Sequence, residues 1–515
     1  MSTTPPVSPA PGSNGPERAA GRAGGSVGRL GQVGRGGAGG SGAAAVGSGG
    51  PGERKAGEAV GRDGDEHLGH GLKPRHLTML ALGGAVGAGL FVGTGQGIRT
   101  AGPAILISYA LASLLVVLVM RMLGEMSAAS PRSGSFSVYA ERAFGRWAGF
   151  TVGWLYWWML TVVLAVESAG AARIAHGWWP DIPQWVFALA IMVFFSGANL
   201  LSVKVFGESE FWFAGVKVFA IVAFLVLGTL AILGWLPDND APGLGNLTGQ
   251  GGFLPNGWSG VVTGLLAVVF AFGGLEVATI AAAESDDPAR SVARAVRTIV
   301  WRIVLFYIGS VLVIVTLLPW DSDAVGSGPY AAVLDRIGIP GTATLMDVVV
   351  FVALLSALNT MLYGASRMVY SLAERGEGPR ALLAVSPGGV PRRAVLASSA
   401  FGFFAVLLNV WWPEQVFKHM LNSVGAMLLF VWFAVAASQL VLRRRYEREA
   451  PEKLVVRMWL YPYLTWASLA AMVAVVALMV FGQSDDARTQ LASSSAVVAV
   501  ILAIGLLRER KSVRG

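Results

Sequence analysis

The chain has 515 residues, 54% of them hydrophobic and 14% charged, with a net charge of +8 and no cysteine. That balance excludes an ordinary soluble globular protein. The lack of thiols excludes disulfides, thiolate catalysis and thiolate metal sites.

Residues 1–70 are rich in Gly, Ala, Ser, Pro and Arg and hold almost no large apolar side chain. Such a composition cannot bury a core and reads as a disordered tail. It has no apolar h-region, so it is not a signal peptide. Beyond it, apolar runs long enough to cross a bilayer recur. They predict twelve spans: Thr78–Gly95, Ala104–Leu123, Trp147–Ala172, Trp185–Leu201, Phe211–Leu233, Ser259–Ala282, Ile299–Leu318, Met346–Tyr370, Ala394–Val410, Phe417–Leu442, Met458–Phe481 and Leu491–Leu507. With the N-terminus in the cytoplasm, the inside loops hold Arg132, Arg142, Arg146, Arg290, Arg294, Arg297 and the run Arg443, Arg444, Arg445. The outside loops hold little beyond Arg99, Arg173, Arg336 and Arg488. This is the positive-inside asymmetry of a chain with both termini cytoplasmic. The positive charge therefore sets orientation and implies no nucleic-acid partner.

The first span is broken by Gly83, Gly84, Gly87 and Gly89, and the sixth by Gly273 and Gly274. Each glycine costs a helix about 1 kcal/mol against alanine, and irregular backbone at membrane depth survives only buried in protein or lining a cavity. Gly-interrupted spans at corresponding places in two halves point to the binding site of a secondary transporter. Close helix packing is the competing reading, because Gly83 and Gly87 also make a G-x-x-x-G pair. At the first break, Gly87, Ala88, Gly89 and Leu90 open a half-helix whose N–H groups and positive dipole end suit a carboxylate. At the second, ahead of Gly273, the carbonyls of Phe270, Ala271 and Phe272 are expected to accept from a protonated amine.

Glu276 lies just past the second break. A carboxylate at membrane depth is a functional candidate by default, facing the substrate amine or carrying a proton, with a structural hydrogen bond as the alternative. Lys217, near the start of the fifth span, is either a buried proton carrier or a lysine snorkelling to the cytoplasmic face. Glu125 is expected to pair with Arg121 or Arg132 near a cytoplasmic gate, and Glu167 and Asn359 divide between pore-lining and structural roles. Glu284, Asp286, Asp287, Arg290 and Arg294 read as a gate or loop anchor. An enzyme would need clustered metal ligands, an activated Ser or a Walker loop. None is present in the sequence, and His67, His70, His76, His176 and His419 have no metal-ligand spacing. No cofactor or metal is expected.

The stretch from Ala101-Gly102-Pro103 through Arg121-Met122-Leu123-Gly124-Glu125 to Pro131 resembles the signature of bacterial amino acid permeases. So do Leu200–Lys204 with Gly207-Glu208 and Glu210-Phe211-Trp212, Ala281–Pro288, and Ala365–Met368 with Glu374-Arg375-Gly376. Within that family Gly145–Gly149 with Gly153–Trp158, and Arg457–Pro462, look most like the 4-aminobutyrate (GABA) permeases. The resemblance places the chain in the amino acid–polyamine–organocation superfamily. It implies an all-α integral membrane protein with twelve transmembrane helices, folded like the leucine transporter. Residues 71–234 would be one five-helix repeat and 258–442 its inverted copy. Residues 458–507 would be two peripheral helices, and 508–515 a cytoplasmic tail. It implies amino acid import across the cytoplasmic membrane, with GABA expected first and an aromatic, proline or other neutral α-amino acid, or exchange, as the alternative. It also implies Phe272 closing over the substrate's alkyl part, and Lys217 standing where sodium-coupled relatives hold an ion, with protons as the coupled partner. Membrane lipid is the expected surroundings; oligomeric state is left open.

Overall fold

The computed structural model describes residues 72–514 apart from 85, 92, 132–133, 237–240, 242, 284, 286, 387, 412 and 482–484. The expected tail, together with Arg132, Glu284 and Asp286, lies outside the described residues, as do the side chains of Ala88 and Phe270. Among the described residues every regular element is helical. Lipid imposes this, because without water a spanning segment must satisfy its own N–H and C=O groups.

The helices run α1 (Pro74–Met79), a π-helical turn (Leu80–Gly84), α2 (Ala88–Phe91), α3 (Gly93–Ala101), α4 (Ile105–Ala129), α5 (Ser135–Phe144), α6 (Arg146–Trp178), α7 (Gln184–Leu201), α8 (Val203–Ile232), α9 (Gly245–Thr248) and α10 (Gly257–Ala271). Then follow α11 (Val277–Ala283), α12 (Pro288–Arg302), a second π-helical turn (Ile303–Ile308), α13 (Gly309–Leu317), α14 (Asp323–Ser327), α15 (Pro329–Arg336), α16 (Thr342–Glu374), α17 (Arg392–Trp411), α18 (Pro413–Glu449), α19 (Tyr463–Phe481) and α20 (Asp485–Arg514). Nine stretches of the described residues are long and apolar enough to cross a bilayer. The first and sixth expected spans are not among them, because they arrive in pieces, as α1 to α3 and as α10 and α11. The ninth expected span is not among them either, although α17 is an unbroken helix of 20 residues.

The bundle is organised around α6, which packs against α5, α7, α16, α17, α18 and α20. Lipid is as apolar as leucine, so helices in it associate through close fit. Glycine supplies that fit: a Cβ on Gly402 of α17 would come within 2.3 Å of Met192, and one on Gly228 of α8 within 2.3 Å of Val313. Large apolar side chains such as Leu114, Phe194, Phe219 and Phe481 face outward. Apolar surface on that scale marks contact with lipid or protein rather than water.

Glu125 does not pair with Arg121. It is buried, forms an ion pair with Arg443 of α18, and accepts from Gln439 Nε2 at 2.8 Å and from the Met458 backbone N–H at 2.5 Å. Arg121 instead donates to the Arg457 carbonyl at 2.9 Å and stacks over Trp459. Both residues are on α4, but their side chains lean to different neighbours. Asp287 caps α12, accepting from the Arg290 N–H at 3.3 Å and pairing with its guanidinium, so these two members of the charged cluster form a local anchor.

Candidate substrate and proton site

At the first break the π-helical turn ends at Gly84 and α2 begins at Ala88. Val86 N–H closes a turn onto Gly83 O at 3.0 Å, and Leu90 and Phe91 donate back to Gly87 O. The N–H groups of Ala88 and Gly89 stand at the start of α2, where a helix has no acceptor of its own. α2 is short, and α3 takes up the helix at Gly93. Three glycines let other groups come close: an ideal Cβ would lie 2.7 Å from Ala214 Cβ at Gly83, 2.5 Å from Glu167 Oε1 at Gly87, and 2.5 Å from Ala271 Cα at Gly89.

At the second break α10 stops at Ala271 and α11 starts at Val277, with Gly274 in the left-handed region at φ +90°. The Ala271 carbonyl was expected to be free. It accepts from the Tyr307 hydroxyl at 3.1 Å, so one of its two lone pairs is occupied. Phe272 is buried between Tyr307 and Tyr109, with ring centroids 4.8 Å and 6.3 Å away. Glu276 is fully buried and turns back on its own loop, accepting from the Gly274 N–H at 3.0 Å and from Trp432 Nε1 at 2.5 Å.

The two breaks meet at Gly89 and Ala271. Beside that contact lies a cavity of about 20 Å³ lined by Gly89, Ala271, Gly273, Gly274, Glu167 and Met361, among others. A volume of that size holds about one water molecule, too little for an amino acid. The acid lining it is Glu167 of α6, and Glu276 is bonded to the lining residue Gly274.

Lys217 does not snorkel. It is fully buried, and its ammonium donates to Gly83 O and, at 3.1 Å, to Val86 O. Both carbonyls belong to the first break, whose helix geometry has lapsed. A second cation does the same one turn earlier: Arg302, 1% exposed at the end of α12, donates to Ala81 O at 2.8 Å. Arg302 was not singled out from the sequence, although a charge inside the expected span Ile299–Leu318 is the same kind of signal as Glu276. Glu210 was missed as well. It is 1% exposed and accepts from Ser356 Oγ at 2.5 Å and Asn359 Nδ2 at 3.3 Å. Asn359 in turn accepts from Asn199 Nδ2 at 2.8 Å. Two turns separate Glu210 from Lys217, which puts both on one face of α8. That spacing in an apolar helix was the available signal.

The profile of the amino acid permease family matches residues 76–508. The chain belongs to the amino acid permease family. The gamma-aminobutyric acid permease of Bacillus subtilis is 45% identical over 442 residues, covering 86% of this chain and 94% of that protein. A probable GABA permease of Pseudomonas aeruginosa is 46% identical, covering 87% and 94%. The aromatic amino acid transport protein AroP of Corynebacterium glutamicum is 47% identical, covering 88% and 97%. Family membership and the apolar helices make this permease a multi-pass membrane protein whose class of activity is amino acid transport.

Proposed function

We propose that the permease imports a zwitterionic amino acid, GABA first, across the cytoplasmic membrane by proton-coupled symport. The observation that carries this reading is the meeting of two broken helices beside a small cavity, with a buried lysine of α8 bonded to the first break. Gly87, Ala88, Gly89 and Leu90 would present N–H groups to the carboxylate. Phe270, Ala271, Phe272 and Gly273 would present carbonyls to the amine, with Phe272 packing on the chain between. Lys217 carries the coupled proton, and Glu276 orders the second break through Gly274 and Trp432. Substrate entry requires Gly89 and Ala271 to separate, because the cavity now holds about one water molecule.

The supporting frame is twelve spans with both termini cytoplasmic. Residues 71–234 and 258–442 are read as inverted repeats, followed by peripheral helices in 458–507. A zwitterion with separated charges suits one break that offers donors and another that offers acceptors. Two relatives named for GABA, at 45% and 46% identity, favour it as substrate. A neutral or aromatic α-amino acid is the second reading, favoured by the AroP relative at 47%. The experiment is uptake of labelled GABA into proteoliposomes under an imposed pH gradient, with unlabelled competitors. Excess GABA and short ω-amino acids should block uptake, and phenylalanine or proline only weakly. Strong phenylalanine inhibition without GABA uptake would move the permease to the aromatic reading, and uptake indifferent to the pH gradient would end the symport reading.

A further inference from the structure

We propose that Glu210 is the exit group for the coupled proton, accepting it from Lys217 and releasing it at the Val203 end of α8; the inference rests on the proton-symport reading above. Glu210 is buried and its hydrogen-bond donors, Ser356 Oγ and Asn359 Nδ2, are neutral. The Asn199 amide donates to Asn359 Oδ1, which turns the Asn359 NH₂ toward the carboxylate. The two donors reach different oxygens of the carboxylate, Ser356 at Oε1 and Asn359 at Oε2. A glutamine would accept from Asn359 with its carbonyl and donate its NH₂ to the Ser356 hydroxyl, and would avoid burying a charge, which is expensive away from water. The Lys217 cation lies on the same face of α8 and favours an acid here, and an acid, unlike a carboxamide, can gain and lose a proton.

The charged groups that face Lys217 are Glu210 on its own helix, Glu167 on α6 and Arg302 at the end of α12. The two acids differ in position. Glu167 touches Gly87 and lines the cavity, so it stands on the substrate side. Glu210 is seven residues nearer the start of α8, about 10.5 Å along the axis, away from the cavity and bonded into α16. Side chains on a helix lean toward its N-terminus, so Lys217 leans toward Glu210. The Thr360 hydroxyl, otherwise without a hydrogen-bond partner, faces Glu210. It also lies 3.3 Å from where a Cβ on Gly84 would be. It borders both the first break and the acid, and a hydroxyl both donates and accepts, so it can pass a proton between them.

In the step, an N–H bond of the Lys217 ammonium breaks and an O–H bond forms on Glu210. The ammonium and carboxylate become a neutral amine and a carboxylic acid, with no net change of charge. The acid then gives its proton to water at the Val203 end, and its carboxylate is restored.

The test uses the full chain in proteoliposomes, with Glu210→Gln read in two assays. Counterflow of labelled GABA moves no net proton and should stay near wild type, while accumulation driven by a pH gradient should fall about 100-fold, the scale of a lost acid–base group. Glu210→Asp, which keeps a titrating group, should recover much of that accumulation with an altered pH profile. Glu210→Gln accumulating like wild type would overturn the proposal. So would equal loss of counterflow and accumulation in both variants, which is what a structural acid would give. If Glu210→Gln fails to insert, an Asp variant with wild-type accumulation and an unaltered pH profile overturns it. A wild-type carrier that ignores the gradient instead removes the symport reading itself.

Discussion

Gly89→Val tests whether the contact between the breaks is functional. A Cβ there would sit 2.5 Å from Ala271 Cα and 3.1 Å from Ala271 Cβ. Ordinary contact begins near 3.5 Å, so the two segments must separate by about 1 Å before valine's methyl groups are placed. The obstructing atom is backbone, and no rotamer change relieves it. Overpacking of this kind costs about 1–3 kcal/mol. Charged against the arrangement in which the two breaks touch, that lowers its population about 5- to 150-fold. The valine side chain also crowds the N–H groups proposed to hold the carboxylate, so substrate binding and counterflow should be lost while insertion is retained. Gly84→Ala is the control on the same break, because its Cβ meets the flexible end of Leu80 at 2.8 Å and can be accommodated. Counterflow assays on both variants, with melting of the purified proteins, separate a local effect from a global one. Wild-type counterflow in Gly89→Val would show that the breaks need not meet during transport.

Lys217→Ala vacates the carbonyls of Gly83 and Val86; it should retain counterflow and lose uphill, pH-driven uptake, and a variant still driven by the gradient would rule the lysine out. Arg443→Ala leaves Glu125 buried without its cation, a loss of about 3–5 kcal/mol that should appear as a lower melting temperature; unchanged melting would refute the pairing. Trp432→Phe removes the donor at 2.5 Å from Glu276 and should cost about 1–3 kcal/mol, with impaired binding if Glu276 holds the second break in shape; binding at wild-type affinity would confine the bond to stability. A reporter fused after Arg514 should be active only inside and one between residues 243 and 252 only outside, and the reverse pattern would overturn the orientation.

The helix breaks were legible because glycine in an apolar run has few explanations, and the positions of Gly87 and Gly89 against Glu167 and Ala271 supply the detail. Lys217 was legible as a candidate, but its burial was not, since the same sequence serves a snorkelling lysine. What escaped is long-range or directional. Arg443 lies 318 residues from Glu125, and nothing local distinguishes it from its neighbours Arg444 and Arg445. The acceptor for Tyr307 is a carbonyl 36 residues back, invisible to any pattern of side chains. Glu276 points into its own loop because Gly274 and Trp432 offer donors there, a choice of rotamer that spacing does not encode. Arg302 and Glu210 needed only the rule already applied to Glu276, extended to every charge inside an apolar span.

The Glu125 carboxylate has a mechanical consequence. It receives Arg443 and Gln439 from α18 and the backbone N–H of Met458 from the approach to α19, while Thr465 of α19 donates to the same Gln439 at 3.0 Å. Two separate stretches of chain hang on one pin that belongs to α4, and α19 is tied to one of them through Gln439. Any tilt of α4 against the rest of the bundle must either carry the approach to α19 with it or pull the pin out. A spectroscopic label on the outward face of α19, at Trp466 for example, would therefore act as a remote pointer for the motion of α4, readable without placing a probe anywhere near the cavity.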